Sequence, residues 1–291
     1  MSSAPSAYAE PVSRVKTTDP ASAAALARLK AVLAHLGPVV VAFSGGADSA
    51  LVAAVATEVL GASRVLCATA VSASLAPDDQ THCADLAAEW GLRWVAVETH
   101  ELDDPAYVRN DLDRCYYCKR ELMDVLEPLA TAEDATVALG VNLDDLSDHR
   151  PGQKAAAERG AVFPLVLAGL DKATVRNVSQ SIRLSTWDRP ATACLASRVP
   201  HGMPVTFGVL ERVATAESSL HKLGFKALRV RHYGDVARIE LALEELACVL
   251  EVREEIVEAV RAAGYKYVTL DLEGFRSGNL SRAAAADGAR P

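Results

Sequence analysis

Three cysteines stand where thiol chemistry is feasible. Cys115 and Cys118 are three positions apart in RCYYCKREL (114–122), and Cys194 lies in the irregular, small-residue stretch RPATACLASR (189–198). C-x-x-C lets two sulfurs reach one metal or each other, and Arg114, Lys119 and Arg120 favour the thiolate. Alone, that pair leaves a staple, a metal grip and a reactive dithiol open. A third thiol narrows the chemistry, because three thiolates can hold three irons of a [4Fe–4S] cluster while the fourth iron stays open to an added sulfur ligand. A zinc site calls for a fourth protein ligand, for which only His149 or His201 offers itself. Arg198 follows Cys194 by four positions and shares its face if the stretch is helical, which adds it to the candidate catalytic set. Cys67, Cys83 and Cys248 sit in apolar patterns and are expected to be buried packing thiols.

A second constellation is built for anions. In VVVAFSGGADSALVAAVA, Ser44, Gly45, Gly46, Ala47, Asp48 and Ser49 lie between an apolar strand and an apolar helix. The glycines permit close backbone approach, the helix start presents unpaired N–H groups, and two hydroxyls add donors. No G-x-x-x-x-G-K-[ST] is present, so this is not a Walker A loop. GVNLDDLSDHRPG (140–152) follows a further short strand and gathers Gly140, Asn142, Asp144, Asp145, Asp148 and Arg150, fit to orient nucleotide, substrate or magnesium. Arg229 and Arg231, two apart on one strand, point to one face and can present paired guanidiniums to a phosphate, with His232 and Arg238 as candidate neighbours.

The elements that must position these groups alternate along the chain. PVVVAF, a helix from Asp48 to Val59, RVLCATAVS, a helix through DDQTHCADLAAEW, LRWVAVETHEL, TVALGVN and AVFPLVL read as α/β order with about five parallel strands. After residue 190 the order becomes α-β-β-α-β, with a helix around Phe207 to Leu223, a strand pair turning at Gly234-Asp235, a long helix from Glu244 to Ala263 and the strand YKYVTLDL. The expected organisation is a nucleotide-binding domain over 23–190, a smaller α+β domain over 191–280, and disordered tails at 1–22 and 281–291. The chain has 291 residues, is 50% hydrophobic and carries a formal net charge of −8 without any run of five basic residues. That argues against a nucleic-acid track, and the lack of a long apolar segment argues against a membrane span. A cytoplasmic protein with reduced thiols is expected, which disfavours a disulfide staple.

SGGADS resembles the SGG-x-DS signature of the PP-loop ATP pyrophosphatases. Together with RCYYCKREL, GVNLDDLSDHRPG, RPATACLASR, RVRHYGDVARIE and GYKYVTLDLEGFRSG, it resembles the LarE family of ATP-dependent sulfur transferases of nickel-pincer nucleotide cofactor synthesis, over about residues 25 to 280. The family-like form of the acidic loop is GTN-x-DD-x-x-D-x-RPG, and Val141 here replaces the Thr. The resemblance implies cleavage of ATP between the α and β phosphates, with Asp48 helping to hold Mg2+ and Ser44, Gly45, Gly46, Ser49, Gly140 and Asn142 around the nucleotide. It implies pyridinium-3,5-biscarboxylic acid mononucleotide as substrate, each carboxylate being adenylylated and converted to a thiocarboxylate, with Asp145, Arg229 and Arg231 toward the substrate. Family members either sacrifice one cysteine or carry a [4Fe–4S] cluster on three; Cys115, Cys118 and Cys194 resemble the latter. A homo-oligomer, with a hexamer as the candidate assembly, is implied as well. The alternatives are a tRNA thiolase, an amidoligase like NAD synthetase, and a non-catalytic nucleotide sensor.

Overall fold

The computed structural model describes residues 19–146, 151–189 and 193–275. Most of both expected tails, and Asp148, His149 and Arg150, lie outside the described residues. Two compact units are present: one comprises residues 1–72, 77–99 and 115–192, the other 73–76, 100–114 and 193–291.

The first unit opens with α1 (Pro20–Leu36), which Asp19 caps by accepting from the Ser22 N–H at 2.8 Å while Pro20 takes a first-turn position where no N–H is needed. Then come β1 (Val39–Ala42), α2 (Ala47–Leu60), β2 (Val65–Val71), α3 (Pro77–Trp90) and β3 (Trp94–Glu98). A short α4 (Pro105–Val108) belongs to the second unit. The first resumes with α5 (Arg114–Ala132), β4 (Thr136–Leu139), α6 (Pro151–Glu158), α7 (Pro164–Leu167) and α8 (Lys172–Ser181).

Its sheet is wholly parallel in the order β3-β2-β1-β4, with Val39 opposite both Val65 and Thr136. Strand alternation explains why both faces are covered. Val39 and Val41 bury against Leu29, Leu33, Leu51 and Val175, whereas Val40 buries with Leu66, Leu122, Met123 and Leu126. The order reverses beside β1, so the loops leaving β1 and β4 open side by side at the carboxyl edge, the place where such sheets bind ligands. The expected fifth strand, AVFPLVL, is reduced to one parallel bridge, Ala138 to Val162. Pro164 lacks the N–H a ladder needs and suits the first turn of α7 instead.

The second unit contains α9 (Phe207–Lys222), β5 (Leu228–Tyr233), β6 (Val236–Leu241), α10 (Arg253–Ala262) and β7 (Tyr267–Leu270). The first two strands form an antiparallel hairpin across Gly234-Asp235, Gly234 holding φ +66°, and β7 pairs parallel to β6. Leu220, Val230, Ile239, Ile256 and Val260 make its core. The long helix expected from Glu244 is instead a 3-10 segment, Leu243–Leu250, followed by α10. Cys248 lies on that segment and is exposed, which corrects its reading as a buried thiol; Cys67 and Cys83 are buried as expected.

Candidate active site

The loop between β1 and α2 is tied by its own side chains. Ser49 is buried; its hydroxyl donates to the Gly46 carbonyl (3.2 Å), accepts from the Ser44 N–H (3.2 Å) and lies 3.1 Å from the Ser44 hydroxyl. Gly45 has φ +67°, where an L side chain is strained, and a Cβ there would come within 3.0 Å of both Cys83 Sγ and the His82 ring. Gly46 differs: a Cβ would meet only Ser44 Oγ, at 3.6 Å, so its bareness keeps space open at the helix start rather than relieving packing. Gly46, the N-cap, makes no side-chain capping hydrogen bond, which leaves that helix start without a side-chain partner for its first N–H groups among the described residues.

The two loops meet at Gly140. A Cβ there would stand 2.5 Å from the Ser49 nitrogen and 2.8 Å from Asp48 and Ser49 carbons, so only glycine lets the end of β4 lie against the start of α2. The contact brings Asn142 to Asp48: Asn142 Nδ2 donates to Asp48 Oδ1 at 3.0 Å, and the Asn142 N–H donates to Asp145 Oδ2 at 3.1 Å. Asp48 is half-buried, and burial holds its carboxyl above the ordinary aspartate value. Asn142's hydrogen bond opposes the rise, Asp145's charge adds to it, and Lys172 and Arg176 act against it.

Ser44, Gly46, Ala47 and Asp48 line a cavity of about 140 Å³ together with Lys172, Val175, Arg176 and Arg189. This is below the 300–1,000 Å³ common for whole small-molecule sites but suits phosphate groups. The three cations were not singled out from the sequence. Lys172 and Arg176 are four apart on α8, and that spacing after the Asp171 cap was the available signal. Arg189 also pairs with Asp79 at 2.9 Å. A helix start, two hydroxyls, three cations and one metal-capable carboxylate make a cradle for a polyphosphate with its cation.

The cysteines divide between the two units. Cys115 and Cys118 share the first turns of α5, three positions apart, with Cys115 exposed and Cys118 half-buried. Gly152 lets α6 close on that turn, since a Cβ would lie 2.9 Å from the Cys115 carbonyl oxygen. Cys194, exposed, precedes the 3-10 turn Leu195–Arg198 in the second unit. Among the described residues no group of three or more His, Cys, Asp or Glu side chains is arranged to hold a metal ion.

In the second unit Arg198 is buried, gripped by both carboxylate oxygens of Glu217 at 2.9 Å. Arg231, 2% exposed, spends Nη2 on Glu240 and Nη1 on the Ser197 carbonyl, each at 2.8 Å. Arg229 is buried and makes no ion pair among the described residues: it stacks 4.7 Å from the Phe275 ring centre, and burial, then Arg198 and Arg231, push its pKa down to about 10. Strand alternation sends His232 to the other face, where Nδ1 lies 3.2 Å from the Tyr265 hydroxyl, while Arg238 pairs with Glu240 at 3.1 Å.

A parallel sheet with this loop at its reversal point defines a PP-loop nucleotide-binding unit, and a family model for NAD synthase matches residues 27–111. The chain is 36% identical over 256 residues to the pyridinium-3,5-bisthiocarboxylic acid mononucleotide synthase of Lactiplantibacillus plantarum, covering 88% of this chain and 93% of that protein. It is also 44% identical over 261 residues to an uncharacterized protein of Synechocystis sp., 88% and 97% being covered, and 24% identical over 240 residues to one of Methanocaldococcus jannaschii, 82% and 91% being covered. The chain therefore belongs to the LarE family.

Proposed function

We propose that this chain is an ATP-dependent sulfur transferase that converts the carboxylates of pyridinium-3,5-biscarboxylic acid mononucleotide to thiocarboxylates. The observation that carries the proposal is the Ser44–Ser49 cradle with Asp48 oriented by Asn142, in a chain similar along most of its length to a synthase of the bisthiocarboxylic nucleotide. A substrate carboxylate oxygen attacks the α phosphorus of ATP, the bond to the β-phosphate oxygen breaks, and pyrophosphate leaves with that electron pair. The loop N–H groups, Lys172, Arg176 and Arg189 bind the charge that accumulates on the leaving group. Asp48, with Asp145 nearby, would hold Mg2+, which screens the phosphates when bound. A sulfur nucleophile then attacks the acyl carbon, the C–O bond to AMP breaks, and AMP carries away the electron pair. Arg229, whose guanidinium makes no ion pair among the described residues, is the residue for the substrate's phosphate, and Arg231 shapes the strand beside it.

The sulfur carrier is the finer part of the proposal. Cys115, Cys118 and Cys194 are the candidate ligands of a [4Fe–4S] cluster, supported by their residue types and partial exposure. The rival is direct transfer from Cys194, where the thiolate forms a thioester, the Cα proton is removed and the Cβ–S bond breaks, leaving dehydroalanine. A cytoplasmic homo-oligomer goes with either route. Anaerobically prepared protein is to be mixed with ATP, Mg2+ and the biscarboxylic nucleotide, then analysed for pyrophosphate, thiocarboxylate, iron, sulfide and the mass of the Cys194 peptide. Pyrophosphate and thiocarboxylate formed together support the transferase, and pyrophosphate without sulfur in the product refutes it. Dehydroalanine at position 194 selects direct transfer over the cluster.

A further inference from the structure

The loop that carries Cys194 is held by guanidinium groups at almost every carbonyl. Arg198 Nη1 donates to the Cys194 carbonyl at 3.2 Å and to that of Ala193, Arg114 Nη1 to Ala196 at 2.9 Å, and Arg231 Nη1 to Ser197 at 2.8 Å. The Leu195 N–H donates to the Ser74 carbonyl at 2.8 Å. The thiol itself is exposed. Arg198 is the centre of this arrangement, because its Nε and Nη2 are clamped to Glu217, both side chains being less than a tenth exposed. Glu217 in turn accepts from the Val230 N–H at 2.8 Å, on the strand between Arg229 and Arg231. One carboxylate thus ties the thiol's loop to the strand that carries Arg229.

A buried ion pair is not needed for packing, since apolar residues of similar volume commonly serve a core as well or better. A planar donor fork can, however, hold a carboxylate with two nitrogens and reach carbonyls with the third, which lysine cannot do. We propose that Arg198, locked by Glu217, is a positioning residue for Cys194, fixing the main chain on which the thiol is presented. The inference rests on the reading of Cys194 as part of sulfur delivery.

The test uses the full chain with Arg198→Ala, assayed with and without added guanidinium chloride at sub-denaturing concentration, and Arg198→Lys as second variant. Two quantities are read: first-turnover thiocarboxylate formation, its saturating rate taken as kcat and its half-saturating substrate concentration as KM, and hydrogen exchange at the amides of residues 195–197. Positioning predicts a fall of about 10²-fold in kcat at unchanged KM for ATP and for the pyridinium nucleotide. It also predicts faster exchange at 195–197 with β5 and β6 still protected, and partial recovery of both by guanidinium. If Arg198→Ala loses the protection of β5 and β6, the decision passes to Arg198→Lys, for which the same fall and the same local exchange are expected. A raised KM for the nucleotide with kcat intact would overturn the proposal by making Arg198 a binding residue, and unchanged exchange at 195–197 would overturn it outright. If the wild-type chain forms no thiocarboxylate, the sulfur-transfer reading fails, and the exchange and its recovery still decide whether Arg198 fixes the loop.

Discussion

Asp48 shows how one residue gives up stability for chemistry. Its carboxyl is held above the ordinary aspartate value, chiefly by burial and further by Asp145. A raised folded-state pKa means that the folded chain binds the proton more tightly than the unfolded one, so ionising Asp48 costs stability. That cost is absent below the ordinary aspartate value of about 3.9 and is complete once pH exceeds the raised value. Asp48→Asn keeps an oxygen for Asn142 Nδ2 and removes the charge. The variant is therefore expected to melt higher than wild type at neutral pH, with the gap closing as pH falls through the raised range, and to lose ATP-dependent pyrophosphate release. Thermal melts across pH, run beside a pyrophosphate assay, check both. A variant that melts lower at neutral pH would show that the charge is compensated in the folded state.

At the scale of elements, the site depends on the start of α2 lying against the end of β4, and Gly140 permits it. In Gly140→Ala the new Cβ would face backbone atoms of Asp48 and Ser49 at 2.5–2.8 Å, where no flexible side chain can yield. The expected outcome is a destabilisation of about 1–3 kcal/mol, as for other overpacked contacts, with pyrophosphate release falling by about tenfold or more as the loop shifts. Gly46→Ala is the contrast, expected to keep its melting temperature while losing activity, because its Cβ meets only Ser44 Oγ at 3.6 Å. Melting curves and pyrophosphate rates for the pair separate packing from phosphate space. The strand, loop and helix around SGGADS were legible because all three signals are local, as was the hairpin at Gly234-Asp235. AVFPLVL was not, because an apolar run does not say whether its proline will end a ladder or begin a helix. Lys172, Arg176 and Glu217 were not, because their partners are brought to them by tertiary folding from distant sequence. Arg231 looked like a free clamp on the alternation pattern alone; its carboxylate sits on the opposing strand at Glu240, and the pairing register was needed to see it.

At the scale of the whole chain, residues 100–114 belong to the second unit although they precede most of the first unit's later elements. The reason is visible in two buried side chains and one backbone bond. Asn110, fully buried at φ +59°, donates from Nδ2 to the carbonyls of Pro200 and Met203 at 2.8 and 2.9 Å and to that of Val199 at 3.3 Å. Arg114 donates to Ala196, and the Val205 N–H returns a bond to the Val108 carbonyl at 2.9 Å. A fragment ending at residue 190 would retain Asn110 and Arg114 but lack the carbonyls of Ala196, Val199, Pro200 and Met203 that accept from them. Buried polar groups left unsatisfied cost about 1–3 kcal/mol each, enough to release a segment this short. In such a fragment, hydrogen exchange is expected to be fast throughout residues 100–113 while the amides of β1, β2 and β4 stay protected by the core of Val39, Val40, Val41, Leu51 and Met123. In the full chain the same segment is expected to be protected. Protection of residues 100–113 in the fragment would mean that the segment folds on the sheet unit alone, and that the carbonyls of residues 196–203 are not what orders it.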